Sequence, residues 1–254
     1  MPARLLLLLS LVLLGVGSAR ADEASAWSDA RQLVLVTTPD WNADHGTLRT
    51  FERHAGGWQE IGQAAPVTVG KAGAAWGLGL NAPRHDGPIK REGDLRSPAG
   101  VFDIGEAFGY AARADTALPY RALSATDYCV DVSGSPQYNR IVDAKVVGAK
   151  AVAGSTEPMR RDIHVHGDQR YAHGFVIEHN PRQRALGGSC IFAHLWKSPV
   201  DATTGCTAMA PALMQRLLAW LRPEDHPVFV LLPRSAYAGL HASWHLPALG
   251  EAVR

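Results

Sequence analysis

The chain has 254 residues, a formal net charge of +1, 19% charged residues and three cysteines. Near-neutral charge without a basic stripe interleaved with aromatics excludes the electrostatic footprint of a nucleic-acid binder. Partners have to be argued from chemistry instead.

The first residues, MPARLLLLLSLVLLGVGSARA, combine an early arginine, an apolar run from Leu5 to Val16 and small residues ending in Ala19-Arg20-Ala21. This is the pattern of a secretory signal peptide with an A-x-A cleavage site. The run falls short of the ~20 residues that a membrane-spanning helix needs. The expectation is a signal peptide over 1–21, a mature start at Asp22, a periplasmic location and no membrane anchor after cleavage. The roughly 230 residues that follow suit one large domain with a real core, 22–254.

Strand-like runs recur between turn signals: 33–38, 66–70, 100–105, 128–133, 174–179, 189–194 and 227–233. Short β-rich segments punctuated by glycine, proline and asparagine predict a mostly β fold, a sandwich or barrel. The stretch 72–100 is too long for a hairpin connection and is rich in glycine and proline. It reads as a cover over a groove, where Lys90, Arg91, Glu92 and Asp94 either meet a zwitterionic peptide or simply face solvent. From Pro211 to Leu221, Leu213, Leu217, Leu218 and Leu221 recur at helical spacing, with Pro211 suited to a first turn. That is a short amphipathic helix closely following Cys206. The residues from Ser235 onward read as a loosely packed tail.

Three cysteines in an exported chain are an odd number, so at most two pair and one stays a thiol. A bridge between Cys129 and Cys190 would account for the number; spacing alone does not establish the geometry. Pairing with Cys206 would silence the best candidate nucleophile. His194 ends a predicted strand, and twelve residues later Cys206 sits in Thr204-Gly205-Cys206 before the helix. A thiol of pKa ~8.5 needs a base or imidazolium within hydrogen-bond reach to act as a nucleophile. Gly205 lets the backbone turn sharply and aim amides, with those of Thr204 and Cys206, at a developing oxyanion. The bland alternatives are a buried inert thiol for Cys206 and a satisfied core histidine for His194.

These residues resemble the L,D-transpeptidase catalytic-domain family, whose members carry a histidine on a strand and then a Ser/Thr-x-Gly-Cys motif, matched here by His194 and Thr203-Thr204-Gly205-Cys206. Upstream, Ser97-Pro98-Ala99-Gly100-Val101-Phe102 is similar to the family's Thr/Ser-Pro-x-Gly-x-Phe/Tyr core. The resemblance spans roughly 31–233. Thr204 stands where many members have histidine, Leu195 where glycine often follows the strand histidine, and the His194–Cys206 spacing is short. The resemblance implies an exported cysteine acyltransferase of peptidoglycan stem peptides, a transferase of cell-wall biogenesis working through a Cys206 thioester. Its acceptor would be a second stem peptide, a D-amino acid or a wall-linked protein, and no cofactor is needed. The alternatives are an L,D-carboxypeptidase or other wall-peptide hydrolase on the same Cys/His site, and a wall-binding module that has lost catalysis. His164 and His166, followed by His173 and His179, suggest a zinc enzyme only weakly, because no third ligand stands at a recognisable spacing; the expectation is no metal.

Overall fold

The computed structural model describes residues 23–249. The expected signal peptide lies outside them. In chain order the strands are β1 (Gln32–Thr38), β2 (His45–His54), β3 (Gly57–Thr68), β4 (Ala74–Trp76), β5 (Ser97–Gly109), β6 (Tyr120–Ala122), β7 (Asp127–Cys129), β8 (Ile141–Asp143), β9 (Glu157–Pro158), β10 (His173–Ile177), β11 (Phe192–Leu195), β12 (Thr207–Met209) and β13 (Val228–Pro233). The α-helices are α1 (Ala144–Val147), α2 (Arg161–His164), α3 (Pro211–Trp220) and α4 (Arg234–Leu240).

The main sheet runs β10-β11-β12-β3-β2-β1-β13-β5, and β5 pairs again with β10. That second pairing closes the wall, so of the two architectures open to the sequence the chain adopts an eight-stranded barrel, with 34% strand and 16% helix overall. Closure leaves the wall without free edges. Every residue of β1 is buried, which suits a β-branched and leucine run held between β2 and β13. Pro211 opens α3 as expected, and Leu213, Met214, Leu217 and Leu218 bury its apolar face. Burial on that scale contributes about 1.5–3 kcal/mol for each large side chain.

Alternation along the wall separates two clusters. Ala107, Phe175, Ala193 and Leu195 join the large core shared with α3 and α4, whereas Phe108 and Phe192 belong to a smaller cluster on the opposite face. Over that face lies the excursion 123–171, built from the small sheet β8-β7-β9 with α1 and α2. We refer to it as the cap.

Two expectations are corrected here. As far as residue 249 the stretch after Ser235 is not a loose tail: α4 packs against the core, and Trp244, 1% exposed, accepts at its carbonyl from Trp27 Nε1 at 3.0 Å. The stretch 72–100 is not a free cover, because backbone bonds stitch it down, Trp76 N to Pro88 O at 2.7 Å, Gly77 N to Ala99 O at 2.8 Å and Glu92 N to Leu186 O at 3.0 Å.

Candidate active site

Cys206 immediately precedes β12, which runs parallel to β11 with Ala193 opposite Thr207 and His194 opposite Ala208. Period-two alternation therefore turns Cys206 and His194 to the same face of the wall, two residues apart in register. The turn is built by hydroxyls. Thr203 Oγ1 donates to the Cys206 carbonyl at 2.6 Å and accepts from Gly205 N at 3.1 Å. Ser97, the first residue of β5, donates to the same carbonyl at 3.0 Å while accepting from Gly70 N at 2.9 Å. The two sequence motifs thus converge on one oxygen. Gly205 holds φ +151°, and a Cβ there would come within 3.2 Å of the Arg96 carbonyl oxygen.

The Cys206 sulfur lies 3.4 Å from Phe192 N, which donates to it, and 3.5 Å from Cys190 O. It is 7% exposed, packed with Phe108, Tyr171 and Phe192. The candidate nucleophile is thus buried and does not stand at an open surface. Burial and the nearby Glu157 charge push its thiol up to about 12, against the Phe192 N–H and the charges of Lys90 and Arg161. His194 is buried as well, and burial lowers its imidazole to about 4, with the Leu195 carbonyl acting the other way and Arg170 and Arg161 reinforcing the drop. Both partners are therefore neutral near pH 7. His194 Nδ1 lies 2.8 Å from Leu195 O. A carbonyl only accepts, so the proton sits on Nδ1 and Nε2 presents a lone pair. No hydrogen bond joins His194 to Cys206; each is anchored to backbone.

Gly205 N is already engaged by Thr203, so it is not a free donor to an oxyanion. Thr204 is exposed.

The cap supplies residues that sequence reasoning did not find. Tyr171 packs its ring 5.2 Å from that of His194 and donates through its hydroxyl to Glu157 Oε1 at 2.8 Å. Arg161 bonds Glu157 at 3.1 Å and Asp168 at 2.9 Å, and Arg170 chelates Asp168 as well. Although burial pushes Asp168 up, the hydrogen bonds from Arg170 and Arg161 hold it well below the usual carboxylate range. No local motif announces this network.

Cys129 and Cys190 form a disulfide, which leaves Cys206 as the free thiol. The bridge ties β7 of the cap to the segment entering β11. Between cap and wall lies a cleft of about 450 Å³ lined in part by Cys129, Arg140, Ile141, Val176, Glu178 and Phe192. It abuts the residue whose N–H holds the sulfur.

The charged residues of 72–100 mostly have partners inside the protein. Lys90 is buried and bonds Asp94 at 2.5 Å, and Glu92 accepts from Ser189 Oγ at 2.7 Å and from the Tyr138 hydroxyl. Lys90, Glu92 and Asp94 are thus engaged within the protein and do not simply face solvent. His164 sits in α2 rather than on a strand, with Nε2 2.7 Å from Ala125 O, and His179 is wedged between Leu78 N at 3.2 Å and Gly187 O at 2.9 Å. Among the described residues no three His, Cys, Asp or Glu side chains converge on a metal position.

No family model, curated protein or solved structure matches this chain.

Proposed function

We propose that the protein is an exported cysteine acyltransferase acting on peptidoglycan stem peptides, an L,D-transpeptidase with Cys206 as nucleophile and His194 as general acid and base. The observation that carries the reading is the convergence of Ser97 and Thr203 on the Cys206 carbonyl, which joins the two separated motifs of the resemblance at the only free thiol of the chain. The fold proposed with it is the L,D-transpeptidase type of barrel, and the location is the periplasm.

The chemistry starts from a neutral pair, not from a stored thiolate–imidazolium. As the sulfur bonds to the peptide carbonyl carbon, the thiol proton passes to His194 Nε2, a transfer that the fixed Nδ1–H tautomer permits. The carbonyl oxygen becomes an oxyanion, for which the amide of Cys206 is the nearest donor by chain connectivity. Collapse breaks the C–N bond; the departing D-amino acid takes the proton from His194, leaving a Cys206 thioester. An acceptor amine then attacks that thioester, gives its proton to His194 and forms the new amide, and the thiol recovers its proton. Few waters reach a sulfur so deeply packed, which favours an amine held in the cleft over hydrolysis.

The test is incubation of the purified mature protein with a defined wall tetrapeptide and excess D-amino acid, with products read by mass spectrometry. Exchanged tetrapeptide is the expected product. Tripeptide alone at saturating amine means a hydrolase, and an unchanged donor overturns the proposal.

A further inference from the structure

The Cys206 sulfur rests on two backbone groups of one short segment, Cys190 O and Phe192 N. On its far side that segment is secured by the β11 ladder, which begins at Phe192. On its near side Cys190 holds φ +55°, in the left-handed region that residues with a Cβ seldom adopt. Such a conformation persists only where the surroundings over-determine it. Here the restraints come from the cap. The Cys190 side chain is bonded to Cys129, 61 residues away, and its N–H donates to Asn139 Oδ1 at 2.8 Å. Asn139 is itself anchored, donating through Nδ2 to His179 O at 2.7 Å and Asn180 O at 3.0 Å.

We propose that the Cys129–Cys190 disulfide, together with Asn139, is a positioning element of the active site: it holds the Cys190 carbonyl and the Phe192 amide against the nucleophile and keeps the cap closed over it. The proposal rests on Cys206 being the reacting group. The consequence goes beyond stability. Without the bridge Cys190 relaxes out of the left-handed region, its carbonyl turns away from the sulfur, and the cluster of Phe108, Tyr171 and Phe192 around Cys206 loosens on the side facing the cleft. Activity is then tied to an oxidising compartment, because a dithiol that reduces the bridge to two thiols, itself becoming a disulfide, also releases the nucleophile's support.

The experiment compares the oxidised mature protein with Cys129→Ser/Cys190→Ser and with Asn139→Ala, the latter keeping the bridge. In the double variant Cys206 is the sole thiol, so every iodoacetamide adduct seen by intact mass reports on it. Alkylation of Cys206 is expected to quicken by about tenfold or more as its packing opens. For the wall tetrapeptide, kcat should fall by about tenfold with KM nearly unchanged, since misplacement and not lost binding is the defect. Asn139→Ala should move both readouts in the same direction by less. A bridge that only staples the fold would lower the melting temperature and leave alkylation within about twofold of the parent in both variants; that result overturns the proposal. If circular dichroism shows the double variant unfolded, Asn139→Ala decides alone. Absence of turnover in the parent would defeat the functional reading while the alkylation comparison still judges the positioning role.

Discussion

The shared carbonyl at Cys206 lends itself to a double-mutant cycle. Ser97→Ala removes the donor to Cys206 O and leaves the buried Gly70 N–H, 2.9 Å from Ser97 Oγ, without an acceptor. Leaving one buried donor unsatisfied costs about 1–3 kcal/mol, so roughly 2 kcal/mol is expected, with Thr203 still serving the carbonyl. Thr203→Val strands the Gly205 N–H in the same way, for roughly another 2 kcal/mol, while Ser97 serves the carbonyl. The double variant is different in kind, because the Cys206 carbonyl loses its second hydroxyl partner as well. It should fall below the sum of the singles by about 1–2 kcal/mol. Urea unfolding at 25 °C measures all three against the parent. Thr203→Ser, which keeps the hydroxyl, should stay close to the parent and controls for lost methyl packing. Additivity within about 0.5 kcal/mol would mean that the two hydroxyls do not share the carbonyl energetically, and the account of how the motifs meet would fail.

Other consequences follow from the same residues. His194→Gln should lower turnover by about 10²–10⁴-fold without unfolding the barrel, checked by steady-state kinetics beside circular dichroism; normal turnover would move the acid/base role elsewhere. With the Cys206 thiol at about 12, its alkylation rate should climb about tenfold per pH unit from pH 7 through pH 10, whereas a plateau near pH 8 would show an activated thiolate. His179 is held near 4 by burial, against an unfolded value of ~6.5, so the folded state binds fewer protons between these limits. Its contribution is complete above pH ~6.5 and is lost as pH falls toward 4, at about 1.4 kcal/mol per unit. The stability difference between parent and His179→Gln, from urea midpoints, should shrink over that window; a constant difference would refute the burial argument.

Where apolar residues alternate or run together, the strands were legible. The runs at 33–38, 100–105, 174–179 and 227–233 became β1, the middle of β5, β10 and β13. The hairpin of β2 and β3 escaped because most of β3 is exposed or half-buried, so its residues carry little apolar pattern to read. Barrel closure was equally hidden, since it depends on β5 pairing with β10 across a bulge between Phe175 and Ile177. The segment 130–133 continued the run read for β7, but the strand ends at Cys129 and these residues leave the small cap sheet as loop. A tryptophan can also bury itself without a periodic neighbourhood: Trp244 reaches the core from a turn after α4.

The candidate site was legible as residue chemistry and opaque as environment. Cysteine parity and the spacing to His194 are properties of sequence, and they single out Cys206 once Cys129 and Cys190 are joined. What the sequence could not disclose is that the same joining brings the cap onto Cys206. Burial under Tyr171 and Phe192 raises the thiol and lowers the imidazole together, so both groups are held neutral where sequence spacing alone would suggest an ion pair. The difference decides when the proton moves. In the proposed reaction a neutral pair transfers its proton only as the carbonyl is attacked, so the buried thiol stays protonated until a substrate occupies the cleft, whereas an ion pair would be charged beforehand.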